Sequence, residues 1–207
     1  MEPVPLVFWR SPCTEPVRDW LYELPREDQR AVGRDLFRMQ FAWVMDVNAF
    51  PRVADRIWEV RSPLSNKRVA RFLVGYHKGK LIALSLFFAK AQKPPEADLE
   101  FARRRLEMVT ERGKKRNPRI GSTFESWLVE QGIREEASAA AVKYVIGEQI
   151  ARMMKRHVVT KSRMAEVMQT SRVQLGHLLN PDSSNATLET LMRAAKLLGG
   201  ELRLELP

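Results

Sequence analysis

The 207-residue sequence predicts two domains of different class, an α+β domain followed by an all-α domain containing a helix-turn-helix. Three observations carry this. Strand-like alternation over 56–61 and a glycine hairpin signal fall in the first half. From residue 122 to residue 198 the apolar spacing is helical. Between them, Gly113 to Arg119 holds four cations and no acid, together with Gly113 and Pro118, the composition of a solvated linker. The expected division is therefore 1–112, a basic linker at 113–122, and 123–207.

The first domain opens on Leu6, Val7, Phe8 and Trp9, a β-prone run ended by Ser11 and Pro12. Val17, Trp20, Leu21 and Leu24 then recur at helical spacing until Pro25. Val32, Leu36, Met39 and Gln40 carry a second helix to about Phe41. Residues 42–55, with Pro51, read as a connecting loop. Residues 56–61 alternate apolar and polar, and Ser62, Pro63, Ser65 and Asn66 supply turn chemistry. Residues 68–76 and 80–88 flank His77, Lys78 and Gly79, a hairpin signal in which Gly79 takes a positive φ. Pro94 and Pro95 stop the sheet. A helix over 96–112 follows, with Leu99, Leu106 and Met108 among its apolar positions.

In the second domain, Ser122 or Thr123 can cap a helix through Leu128. An alanine-rich helix covers 135–157, and three shorter helices fit between 160 and 198. Residues 201–206 alternate like a strand and could pair with a symmetry mate.

The formal net charge is +10, which favours a polyanionic partner, nucleic acid or an acidic membrane face. The cations are spread over both domains without an amphipathic basic helix, so no membrane partner is expected. The single Cys13 allows neither an intramolecular disulfide nor a cysteine-built metal site, and suits the reducing cytoplasm. The N-terminus lacks a signal-peptide pattern. The apolar run at 81–89 is interrupted by Ser85 and too short to span a bilayer. Neither a cofactor nor a metal is expected.

Residues 160–168, a turn at 169–171, and residues 172–180 have the layout of a helix-turn-helix. Ala165 is small at the crossing, while Met164, Met168, Leu175 and Leu178 form the apolar contact. Ser171 can cap the second helix, whose first residues then face outward and can meet base edges in a major groove. Arg172, Val173, Gln174 and His177 are the candidate base readers, arginine suiting guanine and glutamine adenine. Lys161 and Asn180 stand where phosphate contacts are expected. These residues resemble the Cro-type (XRE) repressors over about 158–199. Residues 116–133 are similar to the opening of HigA-type antitoxins. The resemblance implies operator DNA as partner, a homodimer on a two-fold site, and transcriptional repression.

The first domain carries Trp58-Glu59-Val60-Arg61, Arg68 and Arg71 before Phe72, and Lys90, Gln92 and Lys93 before Pro94. This pattern resembles the HigB/RelE toxins (the phage Gp49-like branch) over about 5–110. The resemblance implies a metal-independent endoribonuclease acting on mRNA, commonly on the ribosome. The chemistry suits the residues. Cleavage requires the 2′-OH deprotonated, phosphorane charge stabilised and the 5′-oxygen protonated. Arginine clamps phosphate oxygens in a fork, and clustered cations lower a nearby lysine's pKa. Arg61 and Arg71 are the candidate transition-state stabilisers and Lys90 the proton-transfer or phosphate-binding group. Arg68, Gln92 and Lys93 are candidate RNA contacts. His77, in the hairpin turn, reads as a surface residue.

The family pattern is broken at Ala70, Ser85 and Ala89. Two functions therefore stand side by side: a fused toxin and antitoxin, or a DNA-binding regulator with a catalytically decayed RelE-like domain.

Overall fold

The computed structural model describes residues 3–45, 47–88, 93–110, 119–179 and 188–199. They fall into two compact units, Met1–Ser138 and Ala139–Pro207.

The first unit is α+β. Its elements are β1 (Leu6–Trp9), α1 (Pro16–Tyr22), α2 (Arg26–Met45), β2 (Arg52–Ala54), β3 (Ile57–Pro63), β4 (Val69–His77), β5 (Lys80–Phe88), α3 (Glu96–Thr110), β6 (Ile120–Thr123) and α4 (Phe124–Glu130). The strands make one sheet in the order β2-β3-β4-β5-β1-β6. Only β1 and β5 run parallel among these neighbours.

Alternation along the strands sends side chains to two faces. On one face Trp20 of α1 meets Phe72 and Trp43 of α2 meets Trp58, with ring centroids 6.0 and 4.5 Å apart. On the other, Leu99, Ala102, Leu106 and Val109 of α3 pack against Ile57, Leu73, Ile82 and Leu84. The buried Gln40 amide fixes the start of β1, its Oε1 accepting from the Leu6 N–H at 3.0 Å.

The β4–β5 hairpin turns on Lys78 (φ 46°) and Gly79 (φ 74°). Positive φ at both central residues is the geometry that matches strand twist, and only glycine adopts it without a steric cost.

Three elements depart from the expected layout. Helix α2 continues to Met45, four residues past its apolar repeat, because Trp43 still packs on Trp58 and Tyr76. Part of the expected loop at 42–55 forms the edge strand β2, paired with β3 through Arg52↔Trp58 and Ala54↔Ile57. Residues 120–130 join the sheet of the first unit as β6 and α4, although their family-like text placed them with the second half. Phe124, Trp127 and Leu128 are fully buried there. Residues 113–118, the body of the expected linker, and residues 201–206, the expected terminal strand, lie outside the described residues.

The unit boundary falls inside α5 (Arg134–Arg156), after Ser138. The second unit continues with α6 (Lys161–Val167), α7 (Arg172–Leu179) and α8 (Leu188–Leu197). Ile146, Ile150 and Met154 of α5 share one core with Met164, Ala165, Met168, Leu175, Leu178, Leu191 and Ala194.

Candidate functional site

Three charged side chains converge where β3, β4 and β5 lie side by side. Arg61 is paired directly with Arg71, and Arg71 with Phe87, so all three share a face. Glu59, two residues before Arg61, belongs to that face as well. Its carboxylate holds both guanidiniums. Arg61 forks onto it at 3.1 Å (Nε to Oε1) and 3.2 Å (Nη2 to Oε2), and Arg71 Nε donates to the same Oε1. The Arg71 guanidinium also lies 5.1 Å from the Phe87 ring centroid.

Burial separates the two arginines. The Arg71 and Glu59 side chains are 2% and 1% exposed, whereas Arg61 keeps half its surface in solvent. Burial works to raise the Glu59 pKa, but the hydrogen bonds from Arg71 and Arg61 outweigh it and hold the carboxyl below its ordinary value. The acid therefore stays ionised and orients the exposed guanidinium. Equivalent phosphate contacts by both arginines are not what this geometry offers: Arg61 reaches the surface, and Arg71 reaches Glu59.

Arg68 precedes β4 and lies 5.7 Å from the centroid of the half-exposed Phe88 ring, with the buried Asp28 carboxylate 3.8 Å away. Lys93 is exposed. Lys90 and Gln92 lie outside the described residues. His77 ends β4 beside the turn; burial, Lys78 and Arg56 lower its pKa, so it is neutral near pH 7. Among the described residues, no group of three or more His, Cys, Asp or Glu could hold a metal ion.

Residues 19–107 match the family model described as Phage derived protein Gp49-like (DUF891). This is a RelE/HigB-like toxin family. The Gp49-like stretch contains Glu59, Arg61, Arg68, Arg71 and Lys93, and ends inside α3. No curated protein and no solved structure matches the chain.

Two residues of the Gp49-like stretch take part in the structure without having been assigned a role from the sequence. Glu59 carried a usable signal, an acid at i−2 from Arg61 in an alternating strand. Arg105 carried a weaker one, its i+3 spacing from Ala102 on an otherwise apolar helix face. Its guanidinium donates to the Leu84 carbonyl and lies 4.0 Å from the ring centroids of both Trp9 and Phe101. Burial pushes its pKa down to about 10.

In the second unit, Lys161, Ser171, Arg172, Gln174 and His177 are exposed, and Val173 is 68% exposed although apolar. Ser171 Oγ accepts from the Gln174 N–H at 3.0 Å, and Gln174 Oε1 accepts from the Ser171 N–H at 3.2 Å. This is a reciprocal capping box. Thr170 Oγ1 adds a third contact to Oε1 at 2.6 Å. The Gln174 side chain thus folds back over the start of α7. Asn180 lies outside the described residues. No helix among the described residues is long and apolar enough to cross a membrane.

Proposed function

We propose that the chain fuses a RelE-type mRNA endoribonuclease to a HigA-like antitoxin that restrains it, binds operator DNA as a homodimer and represses transcription. One observation carries the enzymatic part: Arg61, half exposed, is oriented by a buried carboxylate within a Gp49-like stretch. A preoriented guanidinium can take up charge developing on a scissile phosphate with little reorganisation. Arg71 is then a positioning residue acting through Glu59. Arg68 and Lys93, with Gln92, hold the RNA, and Lys90 moves the proton or binds phosphate. The reaction is the metal-independent one that the toxin resemblance implies.

The DNA-binding part rests on the capped helix α7, which follows α6 after a short turn and carries Arg172, Val173 and His177 on its exposed surface. Such a helix fits a major groove, and Lys161 and Asn180 are the candidate phosphate contacts. Covalent linkage keeps the two functions at an effective concentration around millimolar. Cleavage within 114–119 would remove that tether and leave only the non-covalent contacts between the pieces.

The regulator reading has its own support. Arg71 is buried, and the buried Ser85 hydroxyl has no hydrogen-bond partner among the described residues. One experiment separates the two. Residues 1–138 are the fragment to use, because ending at 112 would strip Phe124, Trp127 and Leu128 from the core. The fragment should cleave mRNA, with or without ribosomes, and arrest growth, and Arg61→Ala should abolish both. Absence of cleavage by the fragment and by the full chain leaves a DNA-binding regulator.

A further inference from the structure

The Gp49-like match ends at residue 107, yet the sheet it belongs to is completed from beyond it. Strand β6 adds antiparallel to β1 through Val7↔Thr123 and Trp9↔Ile120, and the Arg10 N–H donates to the Arg119 carbonyl at 2.8 Å. Without β6, the β1 edge would present unpaired backbone groups. The helix that follows is anchored by apolar side chains. Phe124 meets Phe8 at 6.0 Å and stacks on Trp127 at 5.4 Å, and Leu128 is fully buried beside them. Gly33 of α2 makes room for this: a Cβ there would stand 3.2 Å from Ile133 and 3.3 Å from Leu128.

Around these anchors runs a polar rim. Arg18 donates to both carboxylate oxygens of Glu130 at 2.7 Å and to Ser122 Oγ at 2.5 Å, and the Tyr22 hydroxyl donates to Glu130. The Ser122 N–H donates to Glu15 at 2.8 Å, and Arg30 pairs with Glu136 at 3.2 Å. A Cβ on Gly121 would push the Glu15 carboxylate off its bonds to Ser122 and stand 3.1 Å from the Phe8 carbonyl oxygen. Strand addition, buried aromatic anchors and a charged rim are the anatomy of an interface between separate chains.

We propose that residues 119–138 are a docking arm, that their seat is the β1 edge with the α1 and α2 surface, and that the covalent connection through 111–118 is not needed to hold them there. The inference rests on the two-part reading above, but its readout is association and not RNA cleavage, so the two fail separately.

The test uses the full chain with a protease site inserted between residues 113 and 118, and a fluorophore on Cys13, which is exposed and the only cysteine. After cutting, the labelled N-terminal piece should co-elute with the C-terminal piece at micromolar concentration and keep the anisotropy of the uncut chain. A synthetic 119–138 peptide in excess should displace the C-terminal piece. Gly121→Val should make the cut pieces separate at a concentration at least tenfold higher than in the parent. Arg18→Ala, a milder change at the rim, should shift that concentration at least threefold. Separation or precipitation of the pieces on cutting overturns the proposal. So does retention unaffected by the peptide and by both substitutions.

Discussion

Glu59 and Arg71 form an ion pair on adjacent strands, with side chains 1% and 2% exposed, and Arg61 shares the same carboxylate from the solvent side. A buried pair adds little net stability over apolar residues of equal volume, because both charges lose their hydration. Breaking it from one side is different, since the remaining charge stays buried. Glu59→Ala is expected to cost about 3–5 kcal/mol in urea unfolding. The double change Glu59→Leu with Arg71→Met should cost much less than the sum of the single changes. Additive costs would show that the pair is not coupled.

The same carboxylate sets an acid limit. Its pKa is depressed in the folded state, so its stabilisation is fully present above the unfolded value of about 4.3 and is lost as pH falls through the folded value. Thermal melts of the parent should therefore lose stability below about pH 4. Glu59→Gln should be less stable at neutral pH and show a shallower decline in acid. A Glu59→Gln curve parallel to the parent throughout would remove Glu59 from the acid response.

The sheet centre was legible because its signals are local. Alternation at 56–61, and the runs at 68–76 and 80–88 flanking the turn at Gly79, required no partner to be recognised. The short helices after residue 160 were legible for the same reason, since Thr160 and Ser171 cap them within three residues. What stayed hidden depends on distant partners. Strand β2 has three residues and exists only against β3, and β6 has four and exists only against β1. At the candidate site, spacing could bring Arg61 and Arg71 to one face but could not rank their burial. That ranking follows from the packing of Arg71 between Glu59 and Phe87, fixed by the β4–β5 register.

Arg61 and Arg71 should separate in function. Arg61→Ala removes a half-exposed group and leaves Glu59 paired with Arg71, so it should cost about 1.5 kcal/mol, less than Arg71→Ala, while RNA cleavage falls by at least 100-fold. Arg71→Ala should lower both stability and cleavage. Arg71→Lys should restore part of the stability while still misorienting Arg61, because an ammonium cannot reproduce the fork. Equal melting temperatures for the two alanine variants would contradict the burial ranking.

The hairpin offers a backbone test free of packing. A Cβ on Gly79 would meet nothing within 4 Å, so Gly79→Ala should cost about 1 kcal/mol from the positive φ alone. Lys78→Asn should gain a few tenths of a kcal/mol, because asparagine tolerates that region better than lysine. Both are read from chemical denaturation. A neutral Gly79→Ala would mean that the turn relaxes to another geometry.

Gln174 is the sharpest question in the second unit, because its side chain can either cap α7 or read a base. Its Oε1 accepts from Ser171 and Thr170. Glutamate serves equally as a capping-box acceptor, whereas adenine recognition needs the amide N–H donor that glutamate lacks. Gln174→Glu should therefore retain the melting temperature, while Ser171→Ala should lose about 1 kcal/mol. On DNA selected for tight binding by the parent, a capping role predicts that Gln174→Glu weakens binding to all sequences alike through its added negative charge. A base-reading role predicts a changed preference at one position, with other positions untouched. Binding measured across a library of single-base variants at fixed salt decides between them. The hydrogen bonds within Thr170, Ser171 and Gln174 favour the uniform loss.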